Sequence, residues 1–195
     1  MPRVGMTADR LTQAAAELAD EIGFANVTVS ALARHFGVKD ASLYSHIKNA
    51  KDLRARVAAL ALTELADQVA ANMAGRSGQD ALAAFANTYR DYATQHPGRY
   101  AAMQQDLDAD GPAADPARRH AALTRSILHA YNLTPTAETD AIRLLGATLH
   151  GYITLELTGS FRHTPRPSQS SWHTALTALH TLLTNWPEED GVDDN

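Results

Sequence analysis

The chain has 195 residues and a mass of 21.0 kDa; 45% of its residues are hydrophobic and 20% charged, and its formal net charge is −5. That is globular composition, which excludes wholesale disorder, and the lack of any cysteine excludes disulfides, zinc fingers, iron–sulfur clusters and thiol nucleophiles. No apolar run approaches the roughly 20 residues needed to span a bilayer, and the opening MPRVGMTADR lacks the apolar core of a signal peptide, so the expectation is a cytoplasmic protein with no membrane partner.

Ala accounts for 37 residues, which favours helices, whereas 11 Gly and 8 Pro are too few for a turn-dense sandwich or barrel. In chain order, Thr7 caps a first helix that carries Leu11, Ala15, Leu18 and Ile22 at helical spacing and ends at Gly23. Thr28 caps a short helix reaching about Phe36, and a second short helix fits Asp40 to His46. Asn49 caps a long helix over roughly 51–74, broken by Gly75, Ser77 and Gly78. A helix over 79–95 has the stripe Leu82, Phe85, Tyr89 and Tyr92, and Pro97 opens a short piece with Tyr100 and Met103. The acidic DLDADGPAAD segment, 106–115, reads as a loop. Pro116 starts a helix to about Tyr131, Thr134 and Pro135 start one to about Phe161, and a last helix covers about 170–185. The tail from Pro187 is acidic and aperiodic, so residues 188–195 read as disordered. The chain contains no segment of clear two-residue period, so the fold class is all-α.

Residues 1–51 hold six Lys/Arg and five Asp/Glu, a net of +1, while residues 52–195 hold eleven and seventeen, a net of −6. All three Lys lie between positions 39 and 51. An acidic body repels a polyanion, so any nucleic acid must meet the first fifty residues. There the two short helices are separated only by Gly37-Val38-Lys39, which is helix-turn-helix spacing. Val27, Leu32, Ala33, Phe36, Val38, Leu43 and Ile47 would pack them together and onto Leu18 and Ile22. Lys39, Asp40, Ala41, Ser42, Tyr44, Ser45 and His46 are left outward, the small, hydroxyl and basic groups that reach base edges and phosphates. A structural three-helix cap with a polar outer face fits the spacing equally well.

The segment TVSALARHFGVKDASLYSHIKNAKDL resembles the tetracycline-repressor-like DNA-binding domain of TetR-type transcriptional regulators. The matching residues are Thr28, Leu32-Ala33, Phe36-Gly37-Val38, Ser42-Leu43-Tyr44, His46, Lys48-Asn49 and Asp52-Leu53. The resemblance implies an N-terminal three-helix helix-turn-helix domain, residues 1–51, binding double-stranded DNA. It implies Tyr44, His46 and Lys48 as phosphate contacts and Lys39, Asp40, Ala41 and Ser42 as candidate base readers, with Thr28 and Lys51 also among the DNA-binding residues. Two positions depart from the family pattern. Ala50 stands where a Lys is usual, so that phosphate contact is either missing or shifted to Lys48 or Lys51. Asp40 repels phosphate, and either accepts from a cytosine amino group or caps the second short helix.

Residues 52–187 fit the helical ligand-binding and dimerisation bundle of such regulators. YRDYATQHPGRYAAM and LHGYITLELTGSF resemble one subfamily, with a His-Gly dipeptide in the penultimate helix. Phe85, Tyr89, Tyr92, Tyr100, Met103, Leu145, Leu149 and His150 are candidates for lining an effector pocket, or are simply core. His150 either faces that pocket or is a satisfied core histidine.

Assembly is read from apolar stripes. The last helix carries Trp172, Leu176, Leu179, Leu183 and Trp186. The one before it carries Ile142, Leu145, Leu149 and Ile153 on one side and Leu144, Gly151 and Leu155 on another, with Ala147 and Gly151 spaced for a close approach. A helix apolar on two faces must be buried twice. The expectation is a homodimer through Leu144, Ala147, Gly151, Leu155, Trp172, Leu176, Leu179 and Leu183; the alternative is a monomer that folds its last helix over both faces. The nine His show no i, i+4 pair, so no metal or cofactor is expected.

The leading function is therefore a ligand-responsive repressor that binds a palindromic operator as a dimer and is released by a small molecule. The alternative is a helical enzyme or small-molecule carrier using the C-terminal cavity. Nothing supports catalysis: the chain has no glycine-rich phosphate loop, no G-x-S-x-G and no H-E-x-x-H. A third reading is a DNA-binding corepressor that lacks a ligand or needs one to bind.

Overall fold

The computed structural model describes residues 6–187. Among them it contains nine α-helices and no strand: α1 (Ala8–Ile22), α2 (Val29–Phe36), α3 (Asp40–Leu43), α4 (Ala50–Met73), α5 (Gly78–Gln95), α6 (Pro97–Met103), α7 (Ala114–Leu128), α8 (Pro135–Leu157) and α9 (Ser168–Thr184). Single 3-10 turns cover Phe24–Asn26 and His129–Tyr131. The expected acidic tail, 188–195, lies outside the described residues.

The starts of the helices follow from side-chain caps. Thr7 accepts from the Arg10 amide at 3.2 Å, Thr28 from Ala31 at 3.0 Å, Asn49 from Asp52 at 2.8 Å and Thr134 from Ala137 at 3.2 Å. Each bond satisfies a donor that the helix itself leaves unpaired. Three helix ends differ from the sequence reading. α3 stops at Leu43 because the amides of His46 and Ile47 both turn back to the Leu43 carbonyl, at 2.9 and 3.1 Å. α7 finishes as a 3-10 turn. α8 ends at Leu157 rather than near Phe161: Gly159 takes φ +80°, and the Ser160 amide returns to the Leu155 carbonyl at 2.9 Å.

Two compact units result, each built from two stretches of chain. The first comprises the described residues up to 71 and residues 91–122. Its core gathers Leu11, Ala15, Ala16, Leu32, Leu43, Ile47, Leu53, Val57 and Ala58, so the first half of α4 is part of the same core as the helix-turn-helix. α6 packs along α1 in this unit. The helix-turn-helix expected over residues 1–51 thus shares its core with residues of α4 and α6, Leu53, Val57 and Ala102 among them.

The second unit comprises residues 72–90 and the described residues from 123 onward. Buried in it are Leu82, Phe85, Ile127, Leu128, Leu145, Leu149, Ile153, Trp172, Leu176, Leu179 and Leu183. A polar joint ties three of its helices. Arg90 donates through Nε and Nη2 to Glu156 at 2.6 Å each and lies 5.2 Å over the Trp172 ring. Ser168 donates to the same Glu156 carboxylate, and Trp172 Nε1 donates to Asn87 at 2.8 Å.

Candidate nucleic-acid interface

Helices α2 and α3 meet across a turn in which Gly37 takes φ +64° and the Val38 amide returns to the Ala33 carbonyl at 3.0 Å. Leu32 and Leu43 are fully buried and Ile47 nearly so, which fixes which side of each helix faces inward. The outward side of α3 and the turn after it then carry Lys39, Ala41, Ser42, Tyr44 and Ser45, all exposed, with His46 half-buried. Tyr44 is 53% exposed, unusual for a ring that could have been packed away.

Lys48 and Lys51 are exposed on either side of the α4 cap, as is Ala50. The Asp52 carboxylate accepts from the Lys48 amide at 3.0 Å and from Arg56 Nε at 3.1 Å. Burial raises the Asp52 pKa, but those bonds outweigh it and hold the carboxyl below its ordinary range. The start of α4 is thus pinned, while the Lys48 and Lys51 side chains project from it. Thr28 is exposed at the start of α2, its oxygen engaged as the cap. The predicted contact residues Thr28, Lys39, Ala41, Ser42, Tyr44, Lys48 and Lys51 are therefore all solvent-facing in the first unit.

Asp40 is different. It is neither the cap of α3 nor an open group. The capping position is Lys39, which makes no side-chain cap bond, and Asp40 is the first residue of α3. Its carboxylate accepts a hydrogen bond from Ser30 of α2. Sequence periodicity could not show this bond, because it joins two helices ten residues apart across a turn.

The same segments match known proteins. A family model described as bacterial regulatory proteins, tetR family, matches residues 11–57, and one described as tetracyclin repressor-like, C-terminal domain, matches residues 82–179. The uncharacterized HTH-type transcriptional regulator YobS of Bacillus subtilis (strain 168) is 30% identical over 184 residues, 94% of this chain and 96% of that one. The uncharacterized HTH-type transcriptional regulator Rv0681 of Mycobacterium tuberculosis is 33% identical over 156 residues, 79% of this chain and 72% of that one. The chain belongs to the TetR family.

It is thus a DNA-binding transcriptional regulator and not an enzyme. Solved structures share its fold. One is Streptomyces coelicolor ActR in complex with (S)-DNPA, at 19% identity and a TM-score of 0.69, over 92% of this chain and 98% of that one. Another is BioQ with its double-stranded DNA operator, at 19% identity and a TM-score of 0.68, over 92% and 99%. No helix among the described residues is long and apolar enough to cross a membrane. Among those residues no three His, Asp or Glu side chains come together as a metal site.

The residues expected at an effector pocket in this TetR-family chain divide between the units. Phe85, Tyr89, Leu145, Leu149 and His150 belong to the second, and Tyr92, Tyr100 and Met103 to the first. Phe85 and Tyr89 stack at 4.9 Å, and Leu145 and Leu149 are buried. His150 is exposed, because the inward positions of α8 are Leu149 and Ile153. Tyr92 is committed to a polar network: its hydroxyl donates to Glu64 at 2.8 Å, and burial together with that carboxylate pushes its pKa far up. Burial pushes the Tyr100 phenol up to about 12. The first unit has a cavity of about 340 Å³ bounded by Lys51, Arg54, Leu107 and Pro112, and the second has one of about 370 Å³ bounded by Tyr131, Ala137, Leu183 and Trp186. None of the expected effector residues lines either.

The expected dimer residues also separate into two sets. Leu144, Ala147 and Leu155 are exposed on α8, with Gly151 half-exposed between them. Trp172, Leu176, Leu179 and Leu183, by contrast, are 1–8% exposed and face the protomer's own interior. A single apolar stripe needs only one partner, and α9 finds it within the chain. The outward apolar residues of α9 are Ala178 and Leu182, the latter 41% exposed.

Proposed function

We propose that this TetR-family regulator represses by binding a palindromic operator as a homodimer, and that a small molecule held by the helical part releases it. Residues 28–51 supply the DNA contacts. Lys39, Ala41 and Ser42 address base edges; Tyr44, His46, Lys48 and Lys51 position the helix on phosphates. The observation that carries this reading is the short α3, anchored by Leu43, which with its flanking residues leaves Lys39, Ala41, Ser42 and Tyr44 exposed. BioQ, which shares the fold, has been solved on its operator. The protein works in the cytoplasm, where its operator is.

The effector belongs to residues 52–187, among Phe85, Tyr89, Leu145 and Leu149, an aromatic and aliphatic lining suited to a largely apolar molecule. ActR, of the same fold, has been solved with a small molecule. Release follows from differential affinity for a conformation in which two DNA-binding units are wrongly spaced. The dimer forms through Leu144, Ala147, Gly151 and Leu155 of α8 with Ala178 and Leu182 of α9. An added β-carbon at Gly151 would meet nothing within 4 Å inside the protomer, which leaves that side of α8 open to a second copy.

The test is selection of bound fragments from the source genome, followed by gel shift of the selected duplex with and without cell extract. A palindromic fragment shifted by pure protein and released by a small-molecule fraction is the expected result. A protein that selects no duplex, or whose shifted band no fraction alters, would overturn DNA recognition or effector release respectively.

A further inference from the structure

A four-residue helix is too short to hold its own direction; helices of that length are unstable in isolation. α3 is such a helix, and its orientation has to come from outside. Its far end is held by Leu43, fully buried, and by Ile47 just beyond. At its near end Lys39 provides no side-chain cap. What holds that end is the Asp40 carboxylate, bound to the hydroxyl of Ser30 in the first turn of α2. The carboxylate thereby sits at the positive ends of two helices, in the first turn of its own α3 and beside the first turn of α2, where negative charge is favoured.

Asp40 lies on the DNA-facing helix, yet its charge opposes phosphate. A carboxylate there either reads a cytosine amino group directly or serves the protein. The geometry points to the second: Ser30 and Asp40 are a positioning pair that sets how α3 presents Ala41, Ser42 and Tyr44 to the groove, and Asp40 reads no base. One carboxylate oxygen already accepts from Ser30, and turning the group toward a base would break that bond, the only polar tether between the starts of α2 and α3 among the hydrogen bonds described. This rests on the DNA-binding assignment and not on effector response or dimerisation.

The two roles separate in three variants. Asp40→Asn keeps an oxygen for Ser30 and removes the charge. Asp40→Ala and Ser30→Ala each remove the tether. The probes are the duplex selected by wild-type protein and a random duplex of equal length, measured by fluorescence anisotropy at one salt concentration. Each variant is also put through selection on a randomised duplex library, with melting temperature as the control for folding.

As a positioning pair, Ser30→Ala and Asp40→Ala each lower the ratio of specific to random affinity about tenfold, the size of one lost hydrogen bond between protein groups. The double variant does no worse than either single one, since both remove the same interaction. Asp40→Asn retains the ratio and binds both duplexes more tightly, because one repulsive charge is gone. All three variants select the wild-type consensus with weaker contrast. The proposal is overturned if Asp40→Asn changes the preferred base at one position while Ser30→Ala does not, which is the signature of direct reading. It is equally overturned if the two tether variants are additive. A wild-type protein that selects no duplex overturns the DNA-binding reading and this one with it.

Discussion

Gly98 of α6 lies so close to Ala19 of α1 that a β-carbon on it would stand 1.9 Å from the Ala19 carbonyl oxygen and 2.6 Å from the Asp20 amide. Both are backbone atoms and cannot swing aside. The approach is made at the one position of α6 with no side chain, and it is what lets α6 pack along the helix that supports the DNA-reading pair. Gly98→Ala is expected to cost at least the upper part of the overpacking range of about 1–3 kcal/mol, a fall of several degrees in Tm for a chain of this size. Gly146→Ala is the control. It is an interior helical glycine with nothing within 4 Å, so the same change there should stabilise by about 0.5–1 kcal/mol. Thermal melts of the two variants should move in opposite directions; a Gly98→Ala protein that melts with the wild type would mean that the helices do not approach this closely.

Asp20 completes the same joint. Its carboxylate accepts from the Arg99 amide at 2.9 Å, pairs with Arg99 Nε at 3.1 Å and lies 3.2 Å from His96 Nδ1. Arg99 is 8% exposed and keeps Glu64 as a second partner at 3.1 Å. Asp20→Ala therefore weakens, without wholly stranding, a buried cation, and should cost about 1.5–3 kcal/mol, the range for hydrogen bonds to charged groups. Asp20→Asn, which can still accept from the Arg99 amide, should fall between it and the wild type in urea unfolding. Equal midpoints for all three would show that the bonds contribute nothing net.

These joints mark where the sequence stopped being informative. Caps and helical periods are local, so Thr7, Thr28, Asn49 and Thr134 could be read as helix starts directly. The two faces of α8 were equally legible, because Leu145, Leu149 and Ile153 recur at one helical spacing and Leu144 and Leu155 at another. The seating of α6 on α1 depends on contacts some 79 residues apart, such as Arg99 to Asp20, and no period encodes them. The Ser30–Asp40 bond escaped for the same reason. α9 escaped differently: an apolar stripe states that a helix is buried, not whether by its own chain or by a copy.

Glu156 makes acid stability measurable. The Arg90 hydrogen bond holds its carboxyl below the ordinary 4.5, against the raising effect of burial, with help from Ser168. A carboxyl whose pKa is depressed by folding stabilises the folded state above its ordinary pKa, and that stabilisation is lost as pH falls through the folded value. Glu156→Gln should therefore melt below the wild type at pH 7, and the gap should close once pH drops well under 4.5. A gap that stays constant from pH 7 to pH 3 would show that the ion pair is not the source of the difference.

On the DNA surface, Lys48→Ala isolates one charge, because the bond that pins the start of α4 uses the Lys48 amide and survives the change. Loss of one phosphate contact should weaken all duplexes alike and flatten the dependence of log affinity on log salt by about one. Tyr44→Phe removes only a hydroxyl from an exposed ring and should weaken operator binding without altering the salt slope. Ser42→Ala should change preference among operator variants. Anisotropy titrations at three salt concentrations decide all three, and unchanged affinity for both Lys48→Ala and Tyr44→Phe would remove the surface from consideration.

The proposed dimer has a probe that the protomer itself does not obstruct. Gly151 lies in the interior of α8, flanked one turn away on either side by exposed Ala147 and Leu155 and about two turns beyond Leu144, and no other part of the chain comes within 4 Å of its missing β-carbon. An interior helical glycine costs about 1 kcal/mol relative to Ala, and no contact within the protomer requires it. A helix of a second copy crossing here would require it, since small residues let backbones come close. Gly151→Arg should therefore leave the helical content of the protomer unchanged while placing bulk and charge at the crossing. Light scattering should report a dimer for the wild type at micromolar concentration and a monomer for the variant. Operator affinity should fall with dimerisation, because two reading helices about 34 Å apart are needed to engage both halves of a palindrome from one side of the duplex. Leu182→Glu, at the outward position of α9, should act in the same direction, whereas Leu179→Ala, inside the protomer, should lower Tm before it alters mass. A wild type that is already monomeric, or a Gly151→Arg variant that remains dimeric with full operator affinity, would place the interface elsewhere.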